Sequence, residues 1–354
     1  VARIPGVDLI VGNQEKYEMV GLLDSFAKRP KPLVRVGDIR KARGVPVAPI
    51  TYFRGRSRAF LKIQDGCRHR CAFCIVPYAR GGSRSQEPKV VVDQVFRLAE
   101  GGYGEIVLTG VDMGHYGWDL FPRTNLAALI RQILDVPGLS RLRLSSILPP
   151  YFTDELIELI TGSPRICPHL HIPLQSGSDR VLRLMRRPYN TRIYRSLVER
   201  LSRAIPDLGL GADVIVGFPG ETETDFEETR ALIEALPLSY LHVFSYSDRK
   251  GTEAARLGGH LPARTVTLRS KALRQLGRAK NLAFRQRLVG RTLEVLVLEE
   301  RDKSSGRLTA LTGNYVEVLF EGPDEWMGRF INVALTDAAP HRTLGEVVRP
   351  PSEL

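Results

Sequence analysis

The stretch Cys67-Arg68-His69-Arg70-Cys71-Ala72-Phe73-Cys74 places three of the chain's four cysteines within eight residues. It follows an apolar run, residues 59–64, that is typical of a β-strand, and Asp65-Gly66 ends that strand and opens a loop. A short loop at a strand end can direct three thiolates at one inorganic centre. Three thiolates suit a [4Fe–4S] cluster in which one iron lacks a protein ligand and is free to chelate a small molecule.

Two other interpretations of these cysteines remain open. A structural zinc site needs four closed ligands, and His69 would have to complete the set from inside the same tight loop, where its reach is poor. Alternatively the thiols are unrelated, although three of four cysteines within eight residues is an improbable chance arrangement. The fourth, Cys167, is isolated and is expected to be a small buried residue.

The charge of the chain points to a polyanionic partner. Its 354 residues carry a net charge of +12, from 51 basic and 39 acidic side chains, which favours binding to nucleic acid. Residues 254–293 contain no Asp or Glu but ten Lys and Arg. This window predicts a phosphate-binding surface, the alternative being a solvated helix face.

The sequence contains no run approaching the roughly 18 apolar residues of a membrane helix. The clustered cysteines also lack the pattern of a disulfide framework. We therefore expect a cytoplasmic protein in a reducing environment, with no membrane segment.

Short apolar runs alternate with helical patterns through the middle of the chain, which predicts parallel strands with right-handed crossovers. Six such units are fewer than the eight of a closed TIM barrel, so the expected class is α/β with a partial, six-unit TIM-like barrel. The predicted strands are residues 59–64, 105–109, 141–146, 169–174, 212–217 and 241–245.

The C-terminal part changes character, because strand-like runs there are separated by glycines, as in a small antiparallel β-barrel. Its predicted strands are residues 292–298, 307–311, 315–320 and 329–334. The expected division is therefore an N-terminal remnant and linker at 1–50, a barrel at 51–287 and a small barrel at 288–349. A small barrel of this kind often binds oligonucleotides.

Candidate ligand-binding residues stand where the predicted parallel strands end, which is where such folds place their chemistry. They are Phe73, Gly110, Asp112, Ser146, Gln175, Asp213 and Gly217. Asp112 has a simpler interpretation as a turn cap. His169 and His171, in the fourth strand, are more often core residues than catalysts. The sequence assigns no catalytic residue.

Taken together, these segments resemble the radical S-adenosylmethionine (SAM) methylthiotransferases. The resemblance runs over nearly the whole chain, from about residue 4 to about residue 343. It is carried by residues 66–77, 80–81, 108–112, 116–117, 144–146, 169–178 and 211–223. Residues 7–15 look like the tail of that family's N-terminal domain, and the small barrel looks like a TRAM domain, an RNA-binding module.

The resemblance implies a radical SAM enzyme that binds one [4Fe–4S] cluster through Cys67, Cys71 and Cys74. The open iron would chelate SAM, and reduction would release a 5′-deoxyadenosyl radical. The family carries a second, sulfur-donating cluster on three N-terminal cysteines. This sequence has no cysteine before Cys67, so truncation of the N-terminal domain is the expectation. The expected electron donor is a flavodoxin or ferredoxin.

The implied substrate is tRNA, in its anticodon region. Residues 108–117 and 143–146 look most like enzymes that add a methylthio group to C2 of N6-threonylcarbamoyladenosine at position 37. The alternatives are methylthiolation of isopentenyladenosine in tRNA or of a ribosomal-protein aspartate. An alternative of another class is a non-enzymatic RNA-binding protein with a structural metal site. The sequence departs from the family pattern at Leu148, where a glutamate is expected.

Overall fold

The computed structural model describes residues 1–46 and 53–349. Its N-terminal elements are two short parallel strands and a helix: β1 (Leu9–Val11), α1 (Met19–Asp24) and β2 (Leu33–Arg35). The chain runs through a 3-10 turn at Glu15–Glu18 before α1 begins. These elements contact the central part of the chain, since Lys62 Nζ donates to Tyr17 Oη at 2.7 Å. The predicted boundary between the N-terminal remnant with its linker and the barrel, at residues 50 and 51, lies outside the described residues.

Six parallel strands and one short antiparallel strand build the central part of the chain. They are β3 (Arg58–Asp65), β4 (Arg84–Ser85), β5 (Glu105–Gly110), β6 (Arg141–Leu144), β7 (His169–His171), β8 (Gly209–Val216) and β9 (Tyr240–Ser245). The antiparallel strand is β4. The strand orders are β4-β3-β5-β6 and β7-β8-β9. Leu142 N donates to Arg165 O and Cys167 N donates to Leu142 O, so hydrogen bonding continues from β6 toward β7.

Helices cover the outer face of this curled sheet. They are α3 (Pro88–Glu100), α4 (Leu126–Leu134), α5 (Asp154–Gly162), α6 (Asp179–Leu184), α7 (Thr191–Ala204), α8 (Glu223–Ala235) and α9 (Ala263–Gln286). The short helix α2 (Val76–Arg80) follows the loop after β3 instead. Several begin where a side chain accepts from a free backbone amide, as Asn125 does for Ala128 N and Asn190 for Ile193 N. No helix in the described residues is long and apolar enough to cross a membrane.

The C-terminal part is a closed barrel with its own apolar core, antiparallel except where β12 pairs with β14 in parallel. Its strands are β10 (Thr292–Arg301), β11 (Leu308–Thr312), β12 (Glu317–Phe320), β13 (Phe330–Ala339) and β14 (Arg342–Arg349), in the order β10-β11-β12-β14-β13. Strand β14 was not predicted. Pro340 just before it and Gly345 within it are unfavourable for a strand. In the structure Gly345 packs directly on Val333 of β13, where an added Cβ would lie 2.3 Å from Val333 Cγ1.

The loop between β11 and β12 closes the amino end of the central barrel. Arg143 forms an ion pair with Glu105 at 2.7 Å and donates to Gly313 O at 2.9 Å. Tyr315 stacks on His169, with ring centroids 4.3 Å apart. These contacts leave the carboxyl ends of the strands for ligands. The predicted α/β class, with a partial barrel followed by a small antiparallel barrel, is confirmed.

Candidate functional site

The cysteine loop is fastened where β3 ends. Asp65 Oδ1 accepts from Gly66 N at 2.9 Å, and Cys67 N donates to Gly81 O at 3.0 Å. Gly66 adopts a left-handed backbone with φ of 77°, and a Cβ there would lie 2.1 Å from Gly82 O. The tight turn that begins the loop therefore accepts only glycine.

Cys67, Cys71 and Cys74 line one cavity of about 820 Å³ at the carboxyl end of the barrel. Burial and the nearby Asp112 carboxylate raise the pKa of Cys67 to about 12, and burial also raises the pKa of Cys74. Both thiols are therefore neutral at physiological pH until a metal displaces their protons. Cys167 is 2% exposed and lies in the core, as predicted.

Arg187 supplies a cation beside this loop. Its Nη1 donates to Cys71 Sγ at 3.1 Å, whereas its Nη2 is buried without a hydrogen-bond partner in the described residues. A buried, unused donor beside a cysteine sulfur matches the hydrogen bonds that iron–sulfur clusters accept on their sulfur atoms. The residues around Cys71 therefore fit a cluster.

The spacing of the thiols argues against a single zinc ion. In the part of the chain that the structure describes, two groups of His, Cys, Asp or Glu bring three ligand atoms within 4.8 Å of one another, and neither contains a cysteine. Tetrahedral zinc with Zn–S bonds of about 2.3 Å would hold its sulfurs roughly 3.8 Å apart. His69 does not complete such a site, because its Nε2 hydrogen bonds to Tyr151 Oη at 2.7 Å.

Asp112 joins a second polar group next to the loop. Its Oδ2 lies 2.5 Å from His115 Nδ1 and 3.5 Å from Cys67 Sγ, and Tyr151 Oη contacts both His115 and His69. The Asp112 carboxylate, predicted to bind a cofactor hydroxyl, is thus held by an imidazole. This group is one of the two sets of potential metal ligands in the described residues.

Three predicted cofactor-binding residues, Phe73, Gln175 and Asp213, meet in a cavity of about 270 Å³. Gln175 has the left-handed φ of 68°, and its buried Oε1 has no hydrogen-bond partner in the described residues. A buried acceptor without a donor costs free energy unless a ligand supplies the donor. Because SAM carries hydroxyl and amino donors, this cavity fits that cofactor.

The other three predicted residues lie outside that cavity. Gly110 packs against Met113 and Gln64, since a Cβ there would lie 2.8 Å from Met113 Cγ. Gly217 lines a neighbouring cavity of about 350 Å³ and donates its amide to Glu221 Oε2 at 2.9 Å. Ser146 Oγ lies 2.6 Å from His171 Nδ1.

Sequence reasoning missed a group formed by one residue from each of three adjacent strands. His171 on β7 and His242 on β9 both lie 3.2 Å from Asp213 Oδ1 on β8. Burial alone would raise the pKa of Asp213, but hydrogen bonds from the two histidines lower it to about 2. The sequence feature that could have indicated this group is a histidine within an apolar strand, at a position whose side chain points into the barrel, as at His171 and His242.

The basic window of residues 254–293 divides into structural and exposed side chains. Arg269 is buried and pairs with Glu221 at 2.8 Å, and Arg285 is buried and donates to the carbonyls of Ala339 and Arg342. These two arginines bind protein groups, so they do not belong to a phosphate-binding surface. The exposed basic side chains of the window include Arg256, Arg264, Lys271, Arg278 and Arg287.

Two family models match the chain. Residues 61–233 match the radical SAM superfamily and residues 286–348 match the TRAM domain. The first covers the cysteine loop and strands β5 to β8, and the second covers the closed C-terminal barrel.

The chain is also similar to curated proteins over most of its length. It is 38% identical to the threonylcarbamoyladenosine tRNA methylthiotransferase MtaB of Bacillus subtilis, over 99% of this chain and 78% of that protein. It is 42% identical to MtaB of Rickettsia prowazekii, over 82% of this chain and 68% of that protein. It is 37% identical to the tRNA-2-methylthio-N(6)-dimethylallyladenosine synthase of Moorella thermoacetica, over 98% of this chain and 78% of that protein. The chain therefore belongs to the radical SAM methylthiotransferase family.

Proposed function

We propose that this protein transfers a methylthio group to C2 of N6-threonylcarbamoyladenosine at position 37 of tRNA. The names of its relatives support tRNA as the substrate but divide between two N6 substituents, threonylcarbamoyl and dimethylallyl, at similar identity. The choice between these substituents has to come from the chemistry of the barrel interior.

The observation that carries the choice is the polar surface around Asp213. Leu170, Val214 and Val243 belong to the apolar core under the helices, so the strand alternation places His171, Asp213 and His242 on the opposite, inner face. A dimethylallyl group is apolar and would offer no hydrogen-bond partner to the atoms that this group leaves free, such as His242 Nε2. A threonylcarbamoyl group carries a carboxylate, a hydroxyl and amide groups that can bind them.

We assign Cys67, Cys71 and Cys74 to one [4Fe–4S] cluster, and the cavity of Phe73, Gln175 and Asp213 to SAM. When bound, the pair supplies one-electron chemistry that forms a carbon radical, which an unreactive aromatic C–H bond requires. The protein's own part is to hold the thiolates, with Arg187 as a fixed donor beside Cys71. The proposal also includes a second, sulfur-donating cluster, which would be bound by ligands other than Cys67, Cys71 and Cys74.

The remaining assignments concern partners and domains. We infer that an acidic electron donor, such as a flavodoxin or ferredoxin, docks near the cysteine cavity, because exposed Arg40, Arg68, Arg70 and Arg186 line it. We also infer that residues 1–50, 51–287 and 288–349 form three units, a division supported by the end of α9 at Gln286 and the start of β10 at Thr292.

Deletion of the gene followed by mass spectrometry of tRNA nucleosides tests the proposal. We expect loss of the 2-methylthio form of N6-threonylcarbamoyladenosine and accumulation of its unmodified parent. The wild-type gene should restore it and a Cys71→Ala gene should not. Loss of the 2-methylthio group from dimethylallyladenosine instead would show that the assigned substituent is wrong.

A further inference from the structure

The group of His171, Asp213 and His242 lies on the inner face of the barrel, where Asp213 shares a cavity with Phe73 of the cysteine loop. Asp213 and His242 are direct neighbours in the pairing of β8 with β9, and His171 lies on the next strand, β7. The two imidazole rings are 5.3 Å apart between centroids. The arrangement is thus built by three strands that are distant in sequence.

The two histidines differ in their exposure. His171 is buried, with Nδ1 against Ser146 Oγ at 2.6 Å; its Nε2 lies 3.2 Å from Asp213 Oδ1 without a well-aligned hydrogen bond in the described residues. His242 has a side chain that is 56% exposed, and only its Nδ1 faces Asp213. His242 Nε2 has no hydrogen-bond partner in the described residues. Because His171 is buried, His242 is the member that a ligand can reach from solvent, and Asp213 holds it in position.

The charges around His242 favour its protonated form. The hydrogen bond to Asp213 raises the pKa of His242, and the other titratable neighbours on the inner face are His171 and Tyr240. From the outer face, α9 contributes Arg274, whose Nη2 donates to Val243 O at 3.1 Å. A protonated imidazole held by a carboxylate through Nδ1 presents Nε2–H as a charged donor, which suits a carboxylate ligand.

We propose that His242 binds the carboxylate of the N6 substituent and thereby selects an adenosine with an acidic substituent over one with an apolar substituent. This inference rests on the proposed function, and it names the residue that determines its specificity. Replacing His242 should remove the binding affinity that the carboxylate contributes. The contacts that the protein makes to the rest of the RNA should not change.

The test compares anticodon stem-loop RNAs that differ only at the N6 position of the target adenosine. The substituents are threonylcarbamoyl, its methyl ester, dimethylallyl and none, and binding is measured by fluorescence anisotropy with the full-length protein. We expect the wild type to bind the free acid about tenfold more tightly than the ester. His242→Gln should bind acid and ester equally, and its affinity for unmodified RNA should stay as in the wild type.

The pH dependence separates a charge effect from a change of shape. Because the charged form of His242 exists below its raised pKa, the wild-type preference for the acid should fall as the pH rises through that pKa. His242→Gln, which lacks the titrating imidazole, should bind acid and ester equally at every pH. His341→Gln, which alters an exposed histidine in the turn between β13 and β14, serves as the matched control and should keep the wild-type profile.

The outcomes distinguish the two proposals. If the wild type prefers the acid and His242→Gln keeps both that preference and its pH dependence, the role of His242 is refuted while the proposed substrate stands. If the wild type prefers the dimethylallyl RNA, the proposed substrate is wrong and the role of His242 fails with it. A circular dichroism spectrum and a thermal unfolding midpoint of His242→Gln that match those of the wild type confirm that the variant is folded.

Discussion

Tyr315 of the C-terminal barrel stacks on His169 of the central barrel, with ring centroids 4.3 Å apart and planes inclined by 20°. Arg143 lies over the same tyrosine ring at 5.1 Å from its centroid. The loop that carries Tyr315 is thereby anchored in the amino end of the central barrel. The two barrels are coupled at the end opposite the cysteine loop.

We expect Tyr315→Ala to lower the free energy of unfolding by about 1 to 2 kcal/mol, because it removes one aromatic stack and one cation–π contact. Chemical denaturation monitored by circular dichroism measures this change. Phe121→Ala is the matched control, since Phe121 is 98% exposed and its removal should have almost no effect. Equal stabilities of the two variants would show that the stack does not hold the barrels together.

The stacking contact between Tyr315 and His169 should weaken in acid. Burial, with Arg143 and His171 nearby, lowers the pKa of His169 well below its ordinary value, so the folded protein favours the neutral ring. The stability that this contributes is complete above the unfolded pKa of about 6.5 and is lost as the pH falls below it toward the lowered folded value.

Thermal unfolding between pH 8 and pH 5 measures that loss. The wild type should lose more stability on acidification than His169→Gln, which cannot take up the proton. An identical loss in both proteins would show that His169 does not contribute to the pH dependence.

The turn at Gly66 should be essential for assembly of the cluster. Gly66→Ala places a Cβ 2.1 Å from Gly82 O, so the cysteine loop must move, and we expect the bound iron to fall severalfold after reconstitution. Gly102→Ala is a matched control, because Gly102 also has a left-handed φ, 88°, but open space around the added Cβ. It should cost only about 1 kcal/mol of stability and retain iron. Full iron content in Gly66→Ala would show that the loop tolerates displacement.

Arg187 should tune the reduction potential of the cluster. Reduction adds negative charge, and the guanidinium that donates to Cys71 Sγ stabilises it. Arg187→Leu should therefore shift the potential negative by on the order of 100 mV, from one charge at about 6 Å in an effective dielectric of about 20. A redox titration followed by electron paramagnetic resonance measures the shift. Arg186→Leu, which removes an exposed arginine paired with Glu253, should shift it much less.

The alternation of strands and helices in the central barrel was predictable because each parallel strand is a short apolar run followed by a helix with a recognisable start. Helix α4, Leu126–Leu134, has such a start, since Asn125 caps it and an apolar periodicity follows. Strand β7 is shorter than predicted because Pro173 has no amide hydrogen for the ladder. Strands β2 and β4 and helix α2 are too short to produce a periodic pattern.

The polar groups were less predictable, because their partners come from distant segments. Composition showed ten basic residues in the window 254–293, but it could not show that Arg269 and Arg285 turn toward protein carbonyls and carboxylates. His242 has an unremarkable place in an apolar strand, and only the pairing of β8 with β9 brings it to Asp213. The cysteine loop was predictable because its ligands are close in sequence.

The most direct test of the cluster assignment is anaerobic reconstitution of this chain with iron and sulfide. Metal analysis follows, and then reduction in the presence of SAM. We predict about four iron atoms on the three cysteines and release of 5′-deoxyadenosine. Both should be lost in Cys71→Ala and kept in Cys167→Ala, whose cysteine lies in the core. Bound zinc without iron, or cleavage of SAM that survives Cys71→Ala, would contradict that assignment.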